Sequence, residues 1–203
     1  MALEFFRRAA GEPRRLGVLS AGFNPPTRAH LVLAGAALSI VDEVLFVLPR
    51  EFPHKSYETA GFAQRIEMLL AATAGQPQYS VGSSEGGLFV EIAAECREAY
   101  GDATALVFIC GRDAAERVLN WDYGQPGFSK RMLEGFEMAV APRGGEFQPP
   151  EGTHTRIRTL RVDRDVAHIS ATEVRERARS GEPWEHLVPA GIVPMVRKIY
   201  GAQ

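Results

Sequence analysis

Several features that mark large protein classes are scarce or missing in this chain of 203 residues. It contains two cysteines, Cys96 and Cys110, both in apolar contexts, and no Cys/His spacing typical of a zinc site. We therefore expect no disulfide framework and a reducing, cytoplasmic compartment. The longest apolar stretch, near residues 31–40, is too short to span a bilayer.

An excess of charge of one sign is also missing. The formal net charge is −2, which gives no case for nonspecific binding to nucleic acid or to an anionic membrane. Residues 1–15 lack the apolar segment and small-residue cleavage site of a signal peptide. We expect residues 1–14 to form an N-terminal extension, with a short helix that packs on the main domain.

Strand and helix patterns alternate along the rest of the chain. Short apolar runs predict strands at residues 16–20, 43–48, 78–82, 103–110, 136–141 and 157–162, the last near an edge. Amphipathic segments predict helices at residues 28–40, 61–74, 89–100, 171–180 and 189–200. This alternation predicts an α/β fold, a Rossmann-like doubly wound parallel sheet in one domain over residues 15–203. Ligands bind such sheets beyond the carboxyl ends of the strands.

A Gly/Pro loop joins the first predicted strand to the first predicted helix. Residues 22–30 read Gly-Phe-Asn-Pro-Pro-Thr-Arg-Ala-His, so Thr27 and His30 lie three positions apart at the helix start. A helix N-terminus attracts phosphate through its N–H groups and its dipole, and an imidazole there suits phosphate chemistry. The alternative is an ordinary strand-turn-helix in which His30 is a core histidine.

A second motif opens the predicted helix at residues 171–180. Residues 168–175 read His-Ile-Ser-Ala-Thr-Glu-Val-Arg, and Ser170 and Glu173 have the spacing of a capping box. Capping accounts for those two residues without any ligand, but it does not account for Thr172 or Arg175. These two would place a hydroxyl donor and a cation around an anion at the helix start.

These motifs resemble those of a known enzyme family. The first resembles the Thr/His-x-Gly-His motif of nucleotidylyltransferases, in the form of nicotinate or nicotinamide mononucleotide adenylyltransferases, with Ala29 in place of the family glycine. The second resembles the family's Ile-Ser-x-Thr-x-x-Arg motif, which holds the β- and γ-phosphates of ATP. Gly111 and Asp113, with Trp121 ten residues past Gly111, resemble the family's Gly-x-Asp and Trp pattern.

The resemblance implies that an acceptor phosphate attacks the α-phosphorus of ATP and expels pyrophosphate, in NAD biosynthesis. It implies catalytic roles for Thr27, His30, Lys55 and Arg175. It implies ATP binding by Gly22, Phe23, Asn24, Gly111, Asp113, Ser170 and Thr172. It implies acceptor binding by Arg50, Lys55, Trp121 and Arg143. No residues are assigned to a metal, because Mg²⁺ would be held through the phosphates of ATP.

Structural alternatives accompany several of these assignments. Asp113 has the position of an N-cap, and Trp121 would serve equally as a half-buried packing residue. Arg50 and Lys55 would serve as solvated loop charges. Asp113 would otherwise accept hydrogen bonds from ribose hydroxyls, and the absent side chain of Gly111 would let the backbone approach the ribose closely.

The chain departs from the family pattern at residues 86–92. Family members often carry Tyr-Thr-x-Asp-Thr-Leu there, which helps recognise the pyridine carboxyl group, whereas this chain reads Gly-Gly-Leu-Phe-Val-Glu-Ile. A nicotinate carboxylate would need other donors, for which the N–H groups of Gly86 and Gly87 are candidates, because an unpaired buried charge is very unfavourable.

Two other functions stay open. One is a related nucleotidylyltransferase with another phosphate acceptor or with CTP as donor, which Ala29 and residues 86–92 favour. The other is a nucleotide-binding sensor without turnover, which the intact motifs disfavour. In each case the expected partners are small molecules, ATP and a pyridine mononucleotide in the leading hypothesis, with no nucleic acid and no membrane. A homo-oligomer also stays open.

Overall fold

The computed structural model describes residues 3–51, 59–142, 147–162, 166 and 168–201. Its strands are Glu4–Arg7 (β1), Arg15–Ser20 (β2), Glu43–Pro49 (β3), Tyr79–Ser84 (β4), Ala105–Gly111 (β5), Glu137–Ala141 (β6) and Ile157–Thr159 (β7). They form one sheet in the order β1-β4-β3-β2-β5-β6-β7. All neighbouring pairs are parallel except β1 with β4, which is antiparallel. The predicted α/β class and doubly wound sheet are confirmed.

Helices cover both faces of this sheet. They span Arg28–Ala37 (α1), Phe62–Ala72 (α2), Phe89–Tyr100 (α3), Arg112–Asn120 (α4), Phe128–Gly135 (α5), Ala171–Ser180 (α6) and Val193–Tyr200 (α7). Every residue of β3 is buried, as expected for a central parallel strand. Its Phe46 packs with α1 and α2 on one face, whereas Leu45 and Val47 pack with α3, α4 and α5 on the other.

The C-terminal helices have an apolar cluster of their own. Val174 of α6 and Val196 of α7 pack there with Met68 of α2 and Ala29 of α1. Burial of this cluster holds the start of α6 beside the start of α1, although the two helices are far apart in sequence. The fold thereby places two helix N-termini at the carboxyl edge of the sheet.

The predicted N-terminal helix is wrong, because Glu4–Arg7 form the edge strand β1. Phe5 pairs with Gly82 of β4. The guanidinium of Arg7 donates to the main-chain carbonyls of Leu70 at 3.3 Å and Thr73 at 3.1 Å, at the C-terminal end of α2. The open edge of β4 supplies a row of main-chain partners that a short helix would leave unpaired.

Three further differences concern helices. The predicted helices include neither α4, which supplies Ala115 and Leu119 to the core, nor α5, which supplies Met132 and Leu133. The predicted helix at 189–200 is divided into a 3₁₀ turn, Ala190–Ile192, and α7. Pro194 explains the division, because proline has no N–H to continue a helical hydrogen-bond ladder and is tolerated only in the first turn.

Candidate active site

Two arginines hold the loop that follows β2. The Nη1 atom of Arg65 donates to the main-chain oxygen of Gly22 at 3.2 Å, and Nη1 of Arg175 donates to that of Asn24 at 2.7 Å. Between them, Phe23 has a φ of +43°, a left-handed conformation that is uncommon for a residue other than glycine. Its ring is buried and lies edge-on to the His30 ring at 5.1 Å. Packing and two cationic donors therefore fix this loop in one conformation.

His30 is oriented by the residue that caps its own helix. Thr27 is the N-cap of α1 and is fully buried, and its backbone N–H donates to Nδ1 of His30 at 2.9 Å. The Thr27 hydroxyl lies 2.9 Å from the same nitrogen. Because Nδ1 accepts a hydrogen bond from the backbone, the proton of the neutral ring is on Nε2. This tautomer gives His30 a donor on the side of the ring away from its cap.

The start of α6 confirms half of the predicted capping box. Ser170 Oγ accepts from the N–H of Glu173 at 3.1 Å, as predicted. The Glu173 carboxylate does not return to the cap but pairs with Arg177 at 2.9 Å. Arg175 Nη2 donates to Thr172 Oγ1 at 3.1 Å. The Arg175 guanidinium thus joins α6 to the loop after β2.

The end of β5 adds a third group of residues. Gly111 is the N-cap of α4, and Asp113 lies in the first turn of that helix. The thiol of Cys110, the residue before Gly111, is buried, and burial raises its pKa to about 12. Cys110 therefore stays a neutral thiol and contributes no charge to the site.

The loop after β2, the start of α6 and the end of β5 together surround one cavity of about 690 Å³. Nine of the predicted site residues line it: Gly22, Phe23, Asn24, His30, Gly111, Asp113, Ser170, Thr172 and Arg175. Thr27 is buried behind His30. The lining in the described chain contains the arginines 117, 175 and 179 and a single carboxylate, that of Asp113. This excess of positive charge, together with the starts of the three helices α1, α4 and α6, suits a polyphosphate.

The predicted acceptor residues are not brought together in the same way. Arg50 lies at the β1 edge, where it pairs with Glu4 and with Glu85 and stacks over the Phe62 ring at 4.7 Å. Trp121 is partly buried at the C-terminal end of α4 and is not among the residues that line the cavity. Lys55 and Arg143 lie outside the described residues, so their roles stay predictions.

The N–H groups before α3 already have carboxylate partners. The N–H of Leu88 donates to Glu91 Oε2 at 2.9 Å, and the N–H of Gly86 donates to Glu95 Oε1 at 3.3 Å. Burial raises the pKa of the Glu95 carboxyl, which is 6% exposed. The expectation that Gly86 offers an open donor to a nicotinate carboxylate is therefore wrong, because a side chain of the protein itself takes that donor.

The sequence analysis did not identify three residues of this region as site residues. Arg117 follows Asp113 by four positions on α4, and Arg179 follows Arg175 by four positions on α6. Both line the cavity, and the helical spacing was a readable signal for each. Tyr200 hydrogen-bonds to Asn24 across 176 positions and has no local signal.

A family model described as cytidylyltransferase-like matches residues 20–177. The chain belongs to the cytidylyltransferase-like family. The match includes the loop after β2, the start of α4 and the start of α6, so the three parts of the cavity lie within the family region. α7 lies beyond it.

In the described residues, no helix has the length and apolar character needed to cross a membrane.

Curated relatives of this cytidylyltransferase-like chain extend over most of its length. One from Moorella thermoacetica, named "Probable nicotinate-nucleotide adenylyltransferase", is 31% identical over 91% of this chain and 90% of its own. Another of that name, from Tropheryma whipplei, is 34% identical over 87% of this chain and 93% of its own. The nicotinic acid mononucleotide adenylyltransferase of Plasmodium falciparum, solved with NaAD, has the same fold, with a TM-score of 0.69 at 15% identity, covering 91% and 93% of the two chains. The predicted family resemblance is confirmed.

A substitution at Gly111 tests whether ATP binds in the cavity close to this residue. A Cβ atom added there would meet no protein atom within 4 Å, and its φ of −80° suits any residue. We expect Gly111→Ala to change the free energy of unfolding by less than about 0.5 kcal/mol. The methyl would overpack a bound nucleotide and weaken ATP binding by about 1–3 kcal/mol. Thermal unfolding and ATP titration measure the two effects.

Gly75→Ala is the matched control, because a Cβ at that exposed turn position also meets nothing within 4 Å. Equal ATP affinity of the two variants would show that the nucleotide does not approach Gly111.

Proposed function

We propose that this protein transfers the adenylyl group of ATP to nicotinate mononucleotide and releases pyrophosphate, a step of NAD biosynthesis. The observation that carries the proposal is the convergence of His30, Arg175 and the start of α4 on one cavity. The names and the extent of the curated relatives support the same activity. The reducing cytoplasm stays the predicted compartment.

The reaction needs no strong general base, because the acceptor phosphate is already ionised near neutral pH. One of its oxygens bonds to the α-phosphorus of ATP, and the bond from that phosphorus to the oxygen bridging to the β-phosphate breaks. Catalysis then depends on alignment and on stabilising the charge of the phosphoryl oxygens. His30 would donate from Nε2 to the α-phosphate, with Thr27 fixing its ring.

The leaving pyrophosphate would be held at the start of α6. Ser170 and Thr172 supply hydroxyl groups there, and Arg175 supplies a guanidinium that contacts both α6 and the loop after β2. Gly22, Phe23 and Asn24 would contact ATP from that loop, and Asp113 would accept from a ribose hydroxyl next to Gly111. Arg117 and Arg179 add positive charge to the same cavity.

Magnesium would be bound through the phosphates of ATP. In the described part of the chain, no group of three acidic, cysteine or histidine side chains is arranged to hold a metal ion. We expect Mg²⁺ to keep several of its waters and to bind phosphate oxygens of ATP, as it commonly does. When bound, the ion neutralises charge on the triphosphate.

The acceptor side is assigned by resemblance, with Lys55 and Arg143 on its phosphate, Arg50 nearby and Trp121 on its ring. Nicotinamide mononucleotide is the second candidate acceptor, because Glu91 and Glu95 place carboxylates at the segment matched to pyridine recognition. A neutral amide would avoid the like-charge contact that a nicotinate carboxylate would make there.

A panel of substrates tests the proposed function. We expect pyrophosphate release from ATP with nicotinate mononucleotide, with nicotinamide mononucleotide, or with both, and much less with phosphopantetheine. CTP is tested as the other donor. Turnover with another acceptor alone would remove the pyridine assignment and leave nucleotidyl transfer, whereas ATP binding without any turnover would favour a sensor.

His30→Ala should lower turnover far more than it lowers ATP affinity. The imidazole would meet charge that grows in the transition state, and loss of such a donor lowers the rate by about 10²–10³. Steady-state kinetics and ATP titration separate the two effects. His154→Ala, at an exposed turn position away from the cavity, is the control. Near-normal turnover of the His30 variant would leave His30 as a packing residue.

Arg175→Ala should weaken ATP binding by about 1.5–3 kcal/mol, because it removes a charged hydrogen-bond donor. Thr172→Ala should act in the same direction. Ser170→Ala should mainly remove the cap and lower the free energy of unfolding by about 1 kcal/mol. Arg177→Ala, on the same helix but paired with Glu173, is the control. A loss of stability with unchanged ATP affinity would limit Arg175 to holding Asn24.

A further inference from the structure

Tyr200 brings the C-terminal helix into contact with the loop after β2. It is the last residue of α7, and its side chain is 2% exposed. Its hydroxyl hydrogen-bonds to the Asn24 side-chain oxygen. Burial raises the pKa of this hydroxyl, and an amide oxygen only accepts, so Tyr200 is protonated and is the donor.

Asn24 accepts two hydrogen bonds, one on its side-chain amide and one on its main-chain carbonyl. Its side-chain oxygen accepts from Tyr200, while its main-chain oxygen accepts from Arg175 Nη1 at 2.7 Å. Arg175 in turn donates through Nη2 to Thr172 at 3.1 Å. A continuous series of hydrogen bonds therefore runs from α7 through the loop to the start of α6, where the proposed leaving group binds.

The loop has a reason to need this support. Phe23, next to Asn24, is in a sparsely populated backbone conformation, which persists only when its surroundings hold it. Arg65 holds the carbonyl before Phe23, whereas Arg175 and Tyr200 hold the residue after it. Without the hydrogen bond from Tyr200, Asn24 would be less restrained, and its main-chain oxygen would no longer be held in place to accept from Arg175. The Arg175 guanidinium would then lose part of its orientation.

We infer that Tyr200 is a positioning residue for ATP, acting through Asn24 on Arg175. This inference rests on the proposed function, and it adds a residue that lies beyond the family match at residues 20–177. Tyr200 does not line the cavity, so its effect would reach ATP only through the residues that it holds.

Tyr200→Phe tests the inference, because it removes the hydroxyl and keeps the packed ring. We expect kcat/KM for ATP to fall about three- to tenfold, the range of one net hydrogen bond. KM for the acceptor should stay within about twofold, because the hydrogen bonds of Tyr200 lead to the ATP side. The ATP dissociation constant, measured without acceptor, should rise by a similar factor.

Tyr100→Phe is the matched control. The Tyr100 hydroxyl is also directed into the protein, donating to the Glu43 carboxylate at 2.5 Å away from the cavity. This variant should unfold at a lower temperature yet keep kcat/KM for ATP at a temperature where the protein stays folded. A loss of stability by itself then cannot explain the Tyr200 result.

A double-mutant cycle with Asn24→Ala identifies the route. If Tyr200 acts through Asn24, Tyr200→Phe should change ATP affinity less than about twofold in the Asn24→Ala background. Additive effects would overturn the route, and unchanged ATP affinity in Tyr200→Phe alone would overturn the inference. Because ATP binding is measured without turnover, both outcomes are distinct from failure of the parent protein to transfer adenylyl groups.

Discussion

Parallel pairing of β2 with β5 is the constraint on which the site depends. Val18 pairs with Phe108, so both strands run in the same direction and end at the same edge of the sheet. The loop before α1 and the start of α4 therefore emerge side by side, as they do at the binding edge of other doubly wound sheets. A third helix start, that of α6, joins them only because the C-terminal apolar cluster packs on α1 and α2.

The site combines rigid backbone with directed charge. Gly22 and Asn24 direct main-chain carbonyls at Arg65 and Arg175, which orients the guanidinium groups before any ligand arrives. His30 is fixed in the same manner by the N–H of Thr27. A polyphosphate would therefore meet donors that are already in place, and little ordering of side chains would be needed on binding.

Much of the fold, and the helix starts that line the cavity, could be predicted from local sequence. Ser170 caps α6 and Thr27 caps α1 because short-range chemistry decides both, and the buried strands follow from apolar runs. Glu4–Arg7 was predicted wrongly because four residues carry too little periodicity, and the free edge of β4 decides their conformation. The contact of Tyr200 with Asn24 could not be predicted, because it joins positions 176 apart through tertiary packing alone. Arg117 and Arg179 lay within reach of a helical-spacing argument.

The two edges of the sheet are both poor templates for another strand. β1 has four residues, bears Glu4 and Arg7, and shifts register between Phe5 and Arg7. β7 has three residues, and its Arg158 is paired with Glu137 of β6 at 2.7 Å. Short, charged and irregular edges resist continuous pairing with a neighbouring chain. Crowded copies of this protein would thus be less prone to form a β-sheet shared between chains through β1 or β7.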